Sequence, residues 1–418
     1  MRGTTIFNRY LNAPSLFTKN REVLRPSYLP EKLPHREVEI EQLASIMATA
    51  LKGGRPSNVI IFGKTGTGKT AVIRYLAREI KRTKELVDSE VLKMPELEYI
   101  YINCEIVDTP YGILQNIGNR FIDDFSERIP FTGWPMEKVY NMLKEKLDEK
   151  ERIVTIVLDE LDKLVYKSGD DVLYHLTKIN DDMVRSKVSI IGISNDLKFM
   201  EFLDPRVKSR LSEEKMVFPP YNAAQLRDIL KDRINLAFNQ GVVEEGVVEV
   251  CSALAAQEHG DARRALDLLR VAGEIAERSG DSSVRVEHVY KAKNKIELDC
   301  IAETIKTLPL HSKLILLAII LHEEQGRRNL TTGEVYAAYK ELCSEIGLGA
   351  LTQRRITDLI SELDMLGLIN ARVKSFGRGG RTKEIQSSVP TVDAKKILLE
   401  DDSLVEFREY RLKQTFLH

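Results

Sequence analysis

The sequence predicts an α/β protein whose N-terminal domain is a three-layer fold around a parallel sheet, followed by an all-α domain and a C-terminal winged helix-turn-helix. Over the first half of the chain, five short apolar runs alternate with helical stretches, a pattern typical of strands in a parallel sheet. The apolar spacing then becomes purely helical, and near the C-terminus three helical stretches precede a β-hairpin. We therefore predict domains at 1–218, 219–299 and 300–418.

Composition excludes several classes of protein. The chain has 418 residues, of which 43% are hydrophobic and 30% charged, so disordered and low-complexity classes do not fit. The longest apolar stretch, 314–321, is much shorter than the roughly 20 residues of a membrane helix. The N-terminus lacks a secretory signal, and the four cysteines form no CxxC pair. We expect a cytoplasmic protein without membrane contacts or structural zinc. Because the net charge is only −1, any nucleic-acid binding must depend on local basic patches rather than on the overall charge of the protein.

The N-terminal domain begins with a proline-containing arm of about 35 residues, which leads into a helix that is expected to start near Arg36. The apolar runs that follow are expected to be strands buried on both faces, because they contain few polar residues. These runs are 58–62, 98–104, 152–158, 188–194 and 215–218.

Residues 63–70, Gly-Lys-Thr-Gly-Thr-Gly-Lys-Thr, match the phosphate-loop pattern G-x-x-x-x-G-K-[ST] between a predicted strand and a predicted helix. Glycines allow the backbone N–H groups and the helix N-terminus to face phosphate groups. Lys69 is expected to neutralise the β and γ phosphates, and the Thr70 hydroxyl to bind Mg²⁺. The motif therefore predicts ATP or ADP with Mg²⁺ as the ligands. The predicted phosphate-binding residues are Lys64, Thr65, Gly66, Thr67, Gly68, Lys69 and Thr70.

Two adjacent acids, Asp159 and Glu160, follow an apolar run and supply the second half of such a site. Asp159 is expected to orient Mg²⁺, and Glu160 to act as general base or to orient the attacking water. Asn195 ends the next predicted strand, where its amide could hold the water or the γ-phosphate. The sequence leaves open that the two acids only cap a strand and that Asn195 only forms a turn.

Together these motifs resemble an AAA+ ATPase, with Walker A, Walker B and sensor-one positions. Residues 206–211 resemble the box seven segment, whose arginine reaches the nucleotide of a neighbouring subunit. Arg210 is the first candidate for that role and Arg206 the second. Residues 260–265, Gly-Asp-Ala-Arg-Arg-Ala, resemble the sensor-two motif, which implies that Arg263 lies near the γ-phosphate. Plain surface or salt-bridge roles for these arginines stay open.

A more specific family is indicated by four features together: the AAA+ base, the lid, the winged helix and the segment 28–37, Tyr-Leu-Pro-Glu-Lys-Leu-Pro-His-Arg-Glu. Nearly the whole chain resembles the archaeal replication initiators related to subunit one of the origin-recognition complex and to Cdc six. The resemblance implies an adenine pocket lined by the arm between residues 24 and 36, and nucleotide contacts from the lid. The implied residues are Leu24, His35, Arg36, Tyr221 and Arg233. Tyr221 could instead be a packing residue at a hinge.

The span 105–151 is longer than one crossover helix requires, which indicates an insert. Its apolar residues are expected on one helical face. The resemblance implies an initiator-specific motif that touches the DNA minor groove, although an insert that only packs against protein stays open. The expected apolar face is Ile113, Leu114, Ile117, Phe121, Ile122 and Phe125. The implied DNA-facing residues are Arg120, Arg128, Thr132 and Gly133.

The C-terminal domain carries a predicted DNA-binding wing between residues 372 and 383, with five basic residues, no acid and three glycines. The preceding helix, 352–366, is expected to bury Ile356, Leu359, Ile360, Leu363 and Leu366 and to present its N-terminal end to the major groove. A winged helix that binds protein stays open. The predicted DNA contacts are Gln353, Arg354, Arg355, Arg378, Arg381 and Lys383.

The expected function is that of an ATP-dependent replication initiator that binds origin duplex DNA. By resemblance, its ATPase would be a slow switch, it would help to recruit or load the MCM helicase, and other initiator protomers could join it on DNA. Two alternatives stay open: an AAA+ DNA motor of the branch-migration type, and a nucleotide-gated transcription regulator that uses the same winged helix.

Overall fold

The computed structural model describes residues 15–18, 20–86, 96–375 and 381–412. The chain divides into two compact units, residues 1–290 and 291–418. Each unit contains buried apolar clusters of its own. Within the described ranges, no helix is both long and apolar enough to cross a membrane.

In the described part of the first unit, five strands form one parallel sheet in the order β2-β3-β4-β1-β5. Each predicted apolar run overlaps one strand, and the α/β fold class is confirmed. The expectation of burial on both faces is wrong for β2 and β5, which are edge strands with one neighbour each. Most residues of β2 are only partly buried, and three of the four residues of β5 are exposed. The strands are β1 Val59–Phe62, β2 Glu96–Asn103, β3 Arg152–Asp159, β4 Lys187–Ser194 and β5 Glu214–Val217.

Helices cover both faces of this sheet because successive strand residues point to opposite sides. Ile61 packs with α1 and α2 in one buried cluster, whereas Ile60 packs with α3 to α7 in another. The arrangement is the predicted three-layer fold. The helices are α1 Glu37–Leu51, α2 Lys69–Leu86, α3 Pro110–Gly118, α4 Met136–Asp148, α5 Leu161–Ser168, α6 Asp171–Lys178 and α7 Pro205–Leu211.

The insert keeps only part of its predicted apolar face. Ile113, Leu114, Ile117 and Ile122 are buried, but Phe125 is 84% exposed. The helical period fails at Phe125 because α3 ends at Gly118. After Gly118 the chain forms two short 3-10 turns, Asn119–Phe121 and Phe125–Glu127.

The lid is the predicted all-α domain, formed by α8 Ala223–Ala237, α9 Val247–Gln257 and α10 Ala262–Ser279. Asn222 and Gln225 form a capping box at the start of α8. The Asp261 carboxylate accepts hydrogen bonds from the backbone N–H groups of Arg263 and Arg264, which fixes the start of α10.

One helix, α11 (Val286–Thr307), contains the division between the two units, which lies between Tyr290 and Lys291. The domain boundary predicted at 299/300 falls inside the same helix. The sequence offers no helix-breaking signal at either place, since 286–307 contains neither glycine nor proline.

The second unit has the predicted winged helix-turn-helix order, with an antiparallel sheet β6-β8-β7. The central helix α12 is buried on every side from Ser312 to His322, as its unbroken apolar run implies. Burial of Leu366 was predicted wrongly: it is 51% exposed because α14 has already ended at Met365. The elements are α12 Leu310–Glu324, β6 Leu330–Thr331, α13 Thr332–Glu345, α14 Gln353–Met365, β7 Ile369–Ser375, β8 Arg381–Ser387 and α15 Thr391–Leu398.

Candidate functional site at the base–lid cleft

The phosphate loop connects β1 to α2, and its lysine already lies where phosphate oxygens could bind. Lys69 Nζ donates to the carbonyl oxygens of Gly63 (2.7 Å) and Lys64 (2.8 Å) and to Asn195 Oδ1 (2.8 Å). Gly66 and Gly68 have φ values of +69° and +88°, which side chains with a Cβ rarely adopt. The glycines of the motif are therefore required by backbone conformation.

Burial lowers the pKa of Lys69 to about 8, although the nearby Asp159 carboxylate opposes this shift. Removing water from an ammonium group favours its neutral form, whereas a close carboxylate favours the charged form. An anion in the cleft would restore the charge. The geometry thus suits a cation that pairs with phosphate.

Asp159 is the centre of a small oxygen cluster at the carboxyl end of β3. Its Oδ2 accepts hydrogen bonds from Thr70 Oγ1 (2.8 Å) and from the Tyr101 hydroxyl (2.6 Å), and its Oδ1 accepts from the Glu160 backbone N–H (3.0 Å). A hydroxyl and a carboxylate oxygen are ligands that Mg²⁺ prefers. Thr70 and Asp159 therefore fit the metal that the phosphate loop implies.

Glu160 follows Asp159 in a left-handed backbone conformation, with φ of +57°. This conformation is uncommon for a residue with a side chain and costs on the order of 1–3 kcal/mol. Burial, assisted by the charges of Glu105 and Asp159, raises the pKa of Glu160. A carboxyl group with a raised pKa, held on a strained backbone at a cleft, is expected of a proton acceptor.

These groups open into a cavity of about 800 Å³ between the sheet and the lid. Such a volume suits a nucleotide, since small-molecule sites span roughly 300–1,000 Å³. Residues 25–34 of the arm form another part of its wall. The structure thus brings together most of the residues that the sequence predicted for nucleotide binding. Those on the wall are Thr65, Gly66, Thr67, Gly68, Lys69, Thr70, Asp159, Glu160, Asn195, Tyr221, Arg233 and Arg263.

Arg233 lines this cavity from α8 and has an unused donor. Its guanidinium carbon lies 4.8 Å from the centre of the Tyr28 ring, and burial lowers its pKa. Among the described residues, its Nη1 is buried without a hydrogen-bond partner. A buried N–H without an acceptor costs about 1–3 kcal/mol, so a ligand that supplies an acceptor would be favoured here.

Four predicted nucleotide contacts are not part of the cavity wall. Leu24 is fully buried in a 3-10 turn, Arg21–Leu24. His35 Nε2 is 3.0 Å from Asp228 Oδ2 on α8, and Lys64 Nζ is 3.3 Å from His259 Nδ1. Arg36, the fourth, is buried behind the phosphate loop and is bonded mainly to backbone carbonyls.

The two arginines predicted from the box seven resemblance lie on α7 and are not part of this wall. Arg210 Nη1 donates to Asp181 Oδ2 at 2.8 Å, and Arg206 is paired with Asp204 at 3.0 Å. Both side chains are substantially exposed. This placement leaves them available to a second molecule rather than to the cavity of their own chain.

The predicted DNA-facing residues of the insert are exposed. Arg120, Arg128, Thr132 and Gly133 all lie at the surface. Phe125 and Phe131 are also 84% and 86% exposed, which is unusual for phenylalanine. The insert therefore presents cationic and aromatic side chains to solvent.

In the second unit, Gln353, Arg354 and Arg355 are exposed in the first turn of α14. Lys383 is half-buried, and its Nζ donates to the Ser361 hydroxyl on α14. Arg378 lies outside the described residues. Arg381 begins β8, but its side chain is also outside them.

Sequence reasoning missed Tyr101 and Asp162, which orient site residues. The Tyr101 hydroxyl binds Asp159, and Asp162 Oδ1 accepts the Asn195 backbone N–H at 3.2 Å. Tyr101 lies near the carboxyl end of β2, at the edge of the sheet where Asp159 ends β3. Because β2 and β3 were both predicted as strands of a parallel sheet, a polar residue near the carboxyl end of β2 could have been expected close to Asp159.

Three family models match successive parts of the chain. The AAA ATPase domain model matches 32–188, the Cdc6 AAA+ ATPase-type lid model 227–294, and the model of the CDC6 C-terminal winged helix domain 303–397. An ORC1-type DNA replication protein of Thermococcus onnurineus is 57% identical over 96% of this chain and 95% of that protein. This chain belongs to the ORC1-type DNA replication protein family.

Further relatives support this family assignment. The ORC1-type DNA replication protein of Pyrococcus furiosus is 56% identical over 98% of this chain and 96% of its own length. Among solved structures, the Aeropyrum pernix ORC1 protein in complex with DNA matches with a TM-score of 0.81 and 46% identity, covering 94% of this chain and all of that one. The resemblance stated from the sequence motifs and the AAA+, lid and winged-helix fold are thus confirmed.

Proposed function

We propose that this ORC1-type protein is an ATP-dependent initiator that binds duplex DNA at replication origins. The observation that carries the proposal is the 46% identical ORC1 protein of Aeropyrum pernix, which was solved in complex with DNA. Exposed basic residues on the insert and at the start of α14 support it, because cations on a surface neutralise phosphates.

The base–lid cavity would hold ATP or ADP. Lys69 would pair with the β and γ phosphates, Arg263 with the γ-phosphate, and the free donor of Arg233 with an acceptor on the nucleoside. Thr70 and Asp159 would hold Mg²⁺, which neutralises phosphate charge when bound. Glu160 would accept a proton from the attacking water, which Asn195 helps to position.

Hydrolysis at this site would work as a slow switch. The cavity wall includes residues of both base and lid, so ATP and ADP can favour different lid positions. A protein that changes its grip on DNA with nucleotide state could then help to recruit or load the MCM helicase, and further initiator protomers could join it on DNA.

Footprinting of the purified protein on DNA from its own genome, with ATP and with ADP, tests this proposal. We expect protection to be concentrated at replication origins. Protection at promoters would instead support a transcription regulator. Rapid ATP turnover that is strongly stimulated by DNA of any sequence would support a motor. Co-precipitation of MCM with the origin-bound protein, compared with protein on non-origin DNA, tests recruitment.

A further inference from the structure

Arg36 joins segments that are far apart in the sequence. It is 2% exposed, and its Nε donates to the Thr67 carbonyl of the phosphate loop at 2.9 Å. Its Nη2 donates at 2.6 Å to the Pro219 carbonyl, where the chain passes from the sheet to the lid. Nη1 donates to the His35 carbonyl and to Glu39 Oε1, both at 3.1 Å.

These bonds leave Arg36 little capacity to contact a nucleotide. A guanidinium has five N–H donors, and the four acceptors above occupy most of them. The side chain also lies behind the phosphate loop, outside the cavity wall. A direct ligand contact, which the family resemblance implied, is therefore not the role that this geometry supports.

The contact continues into the lid through Tyr221. The Arg36 guanidinium lies 4.0 Å from the centre of the Tyr221 ring. The Tyr221 backbone N–H donates to the Gly260 carbonyl at 3.3 Å, and Gly260 lies two residues before the start of α10. The Tyr221 hydroxyl is 2.8 Å from the position that a Cβ on Gly68 would occupy. Arg36 and Tyr221 thus fill the space between the phosphate loop and the lid.

We infer that Arg36 is a positioning residue that couples the conformation of the phosphate loop to the junction between base and lid. Phosphate binding that shifts the Thr67 carbonyl would move the guanidinium, and with it the Pro219 carbonyl and the Tyr221 ring. The planar guanidinium holds the Thr67 and Pro219 carbonyls through two different nitrogens at fixed geometry, which a single ammonium group does not offer. The inference rests on the proposed nucleotide site.

Hydrogen–deuterium exchange of the full chain, with and without saturating ADP, tests this coupling. We expect ADP to slow exchange of the phosphate loop and of peptide 219–226, which contains the Tyr221 amide, with the same ADP midpoint. In Arg36→Lys, the charge remains but one ammonium cannot reach both Thr67 and Pro219. The phosphate loop should keep its ADP protection, whereas peptide 219–226 should lose at least half of its own.

Arg78→Lys is the matched control. Arg78 on α2 also donates to a backbone carbonyl of the arm, that of Pro30 at 2.9 Å, and its variant should respond to ADP as the wild type does. Full ADP protection of peptide 219–226 in Arg36→Lys would overturn the inference alone. The inference would also be overturned, whatever the variants show, if ADP slowed exchange of the phosphate loop in the wild type but left exchange of peptide 219–226 unchanged. Absence of ADP binding by the wild type would overturn the proposed function first.

Discussion

At the scale of single residues, the candidate site depends on charges that the fold holds out of water. Lys69 is 6% exposed, and three oxygen acceptors together with the charge of Asp159 offset the cost of burying its ammonium. Such a cation is poised between charged and neutral forms. Its protonation should therefore be coupled to nucleotide binding.

The affinity for ADP should fall as the pH rises through 8. Below its pKa of about 8, Lys69 is charged before ADP arrives; above it, binding must take up a proton. A single such group predicts about a tenfold loss of affinity between pH 7 and pH 9. Calorimetry in buffers of different ionisation enthalpy should show proton uptake rising towards one per ADP. The exposed Lys64, changed to Ala, should leave the profile intact, and a flat profile in the wild type would contradict the prediction.

Glu160→Gln should bind ATP within about twofold of the wild type but hydrolyse it at least about 100-fold more slowly, because a general base contributes roughly 10²–10⁴-fold. Filter binding and single-turnover hydrolysis separate the two effects. Glu105→Gln is a suitable control, since Glu105 also lines the cavity and acts on Glu160 only through its charge. Near-normal hydrolysis by Glu160→Gln would assign the base elsewhere.

Local motifs made part of this site predictable from sequence. The phosphate loop carries its whole pattern within eight residues, and Asp159 and Glu160 end an obvious apolar strand. The partners of Arg36 could not be predicted, because they are chiefly backbone carbonyls, one of them 183 positions away. Because every residue has a backbone carbonyl, the amino-acid sequence does not show which carbonyls Arg36 would bind.

At the scale of secondary-structure elements, α14 best illustrates what periodicity can predict. Ile356, Leu359, Ile360 and Leu363 are buried at helical spacing, as expected, and Thr352 caps the helix. The same rule failed for Leu366, as it did for Phe125 in the insert, since each lies beyond the end of its helix. Apolar spacing identifies a helix well but does not show where it stops.

The exposed start of α14 predicts a DNA-binding defect for Arg354→Ala. If Arg354 contacts a phosphate, affinity should fall for all duplexes and the salt slope should decrease by about 1; if it contacts a base, about 1–3 kcal/mol should be lost for the cognate site alone. Fluorescence anisotropy over a salt series measures both. Arg408→Ala changes an exposed arginine of the turn Val405–Glu409 and should bind normally. Unchanged binding by Arg354→Ala would exclude Arg354 from the interface.

The buried helix α12 predicts a large stability effect. Leu317 is fully buried in it, and Leu317→Ala should lower the free energy of unfolding by about 2–5 kcal/mol. Val392→Ala, on the 77% exposed Val392 of α15, should change it little. Urea denaturation followed by far-UV circular dichroism is the suitable measurement, because the single tryptophan, Trp134, lies in the other unit. Equal stability of the two variants would contradict the assigned core.

At the scale of the whole molecule, one chain supplies most of the proposed hydrolytic site but not the arginine predicted from the box seven resemblance. The cavity wall carries Lys69, Arg233 and Arg263, whereas Arg210 lies on α7 and is paired with Asp181. That exposed ion pair is weak, since surface salt bridges contribute about 0–1 kcal/mol. Arg210 could therefore leave Asp181 for a nucleotide phosphate on another protomer.

Mixing two inactive variants on DNA tests whether Arg210 acts between protomers. Lys69→Ala should fail to bind nucleotide but keep a normal Arg210. Arg210→Ala should bind nucleotide but lack the arginine. Each variant alone should therefore hydrolyse little ATP. In a mixture, the Lys69→Ala protomer can offer Arg210 to the intact cavity of its neighbour, and steady-state ATPase activity should partly return. A mixture of Arg210→Ala with the double variant Lys69→Ala/Arg210→Ala should stay inactive. Failure of the first mixture to recover activity would confine the role of Arg210 to its own chain.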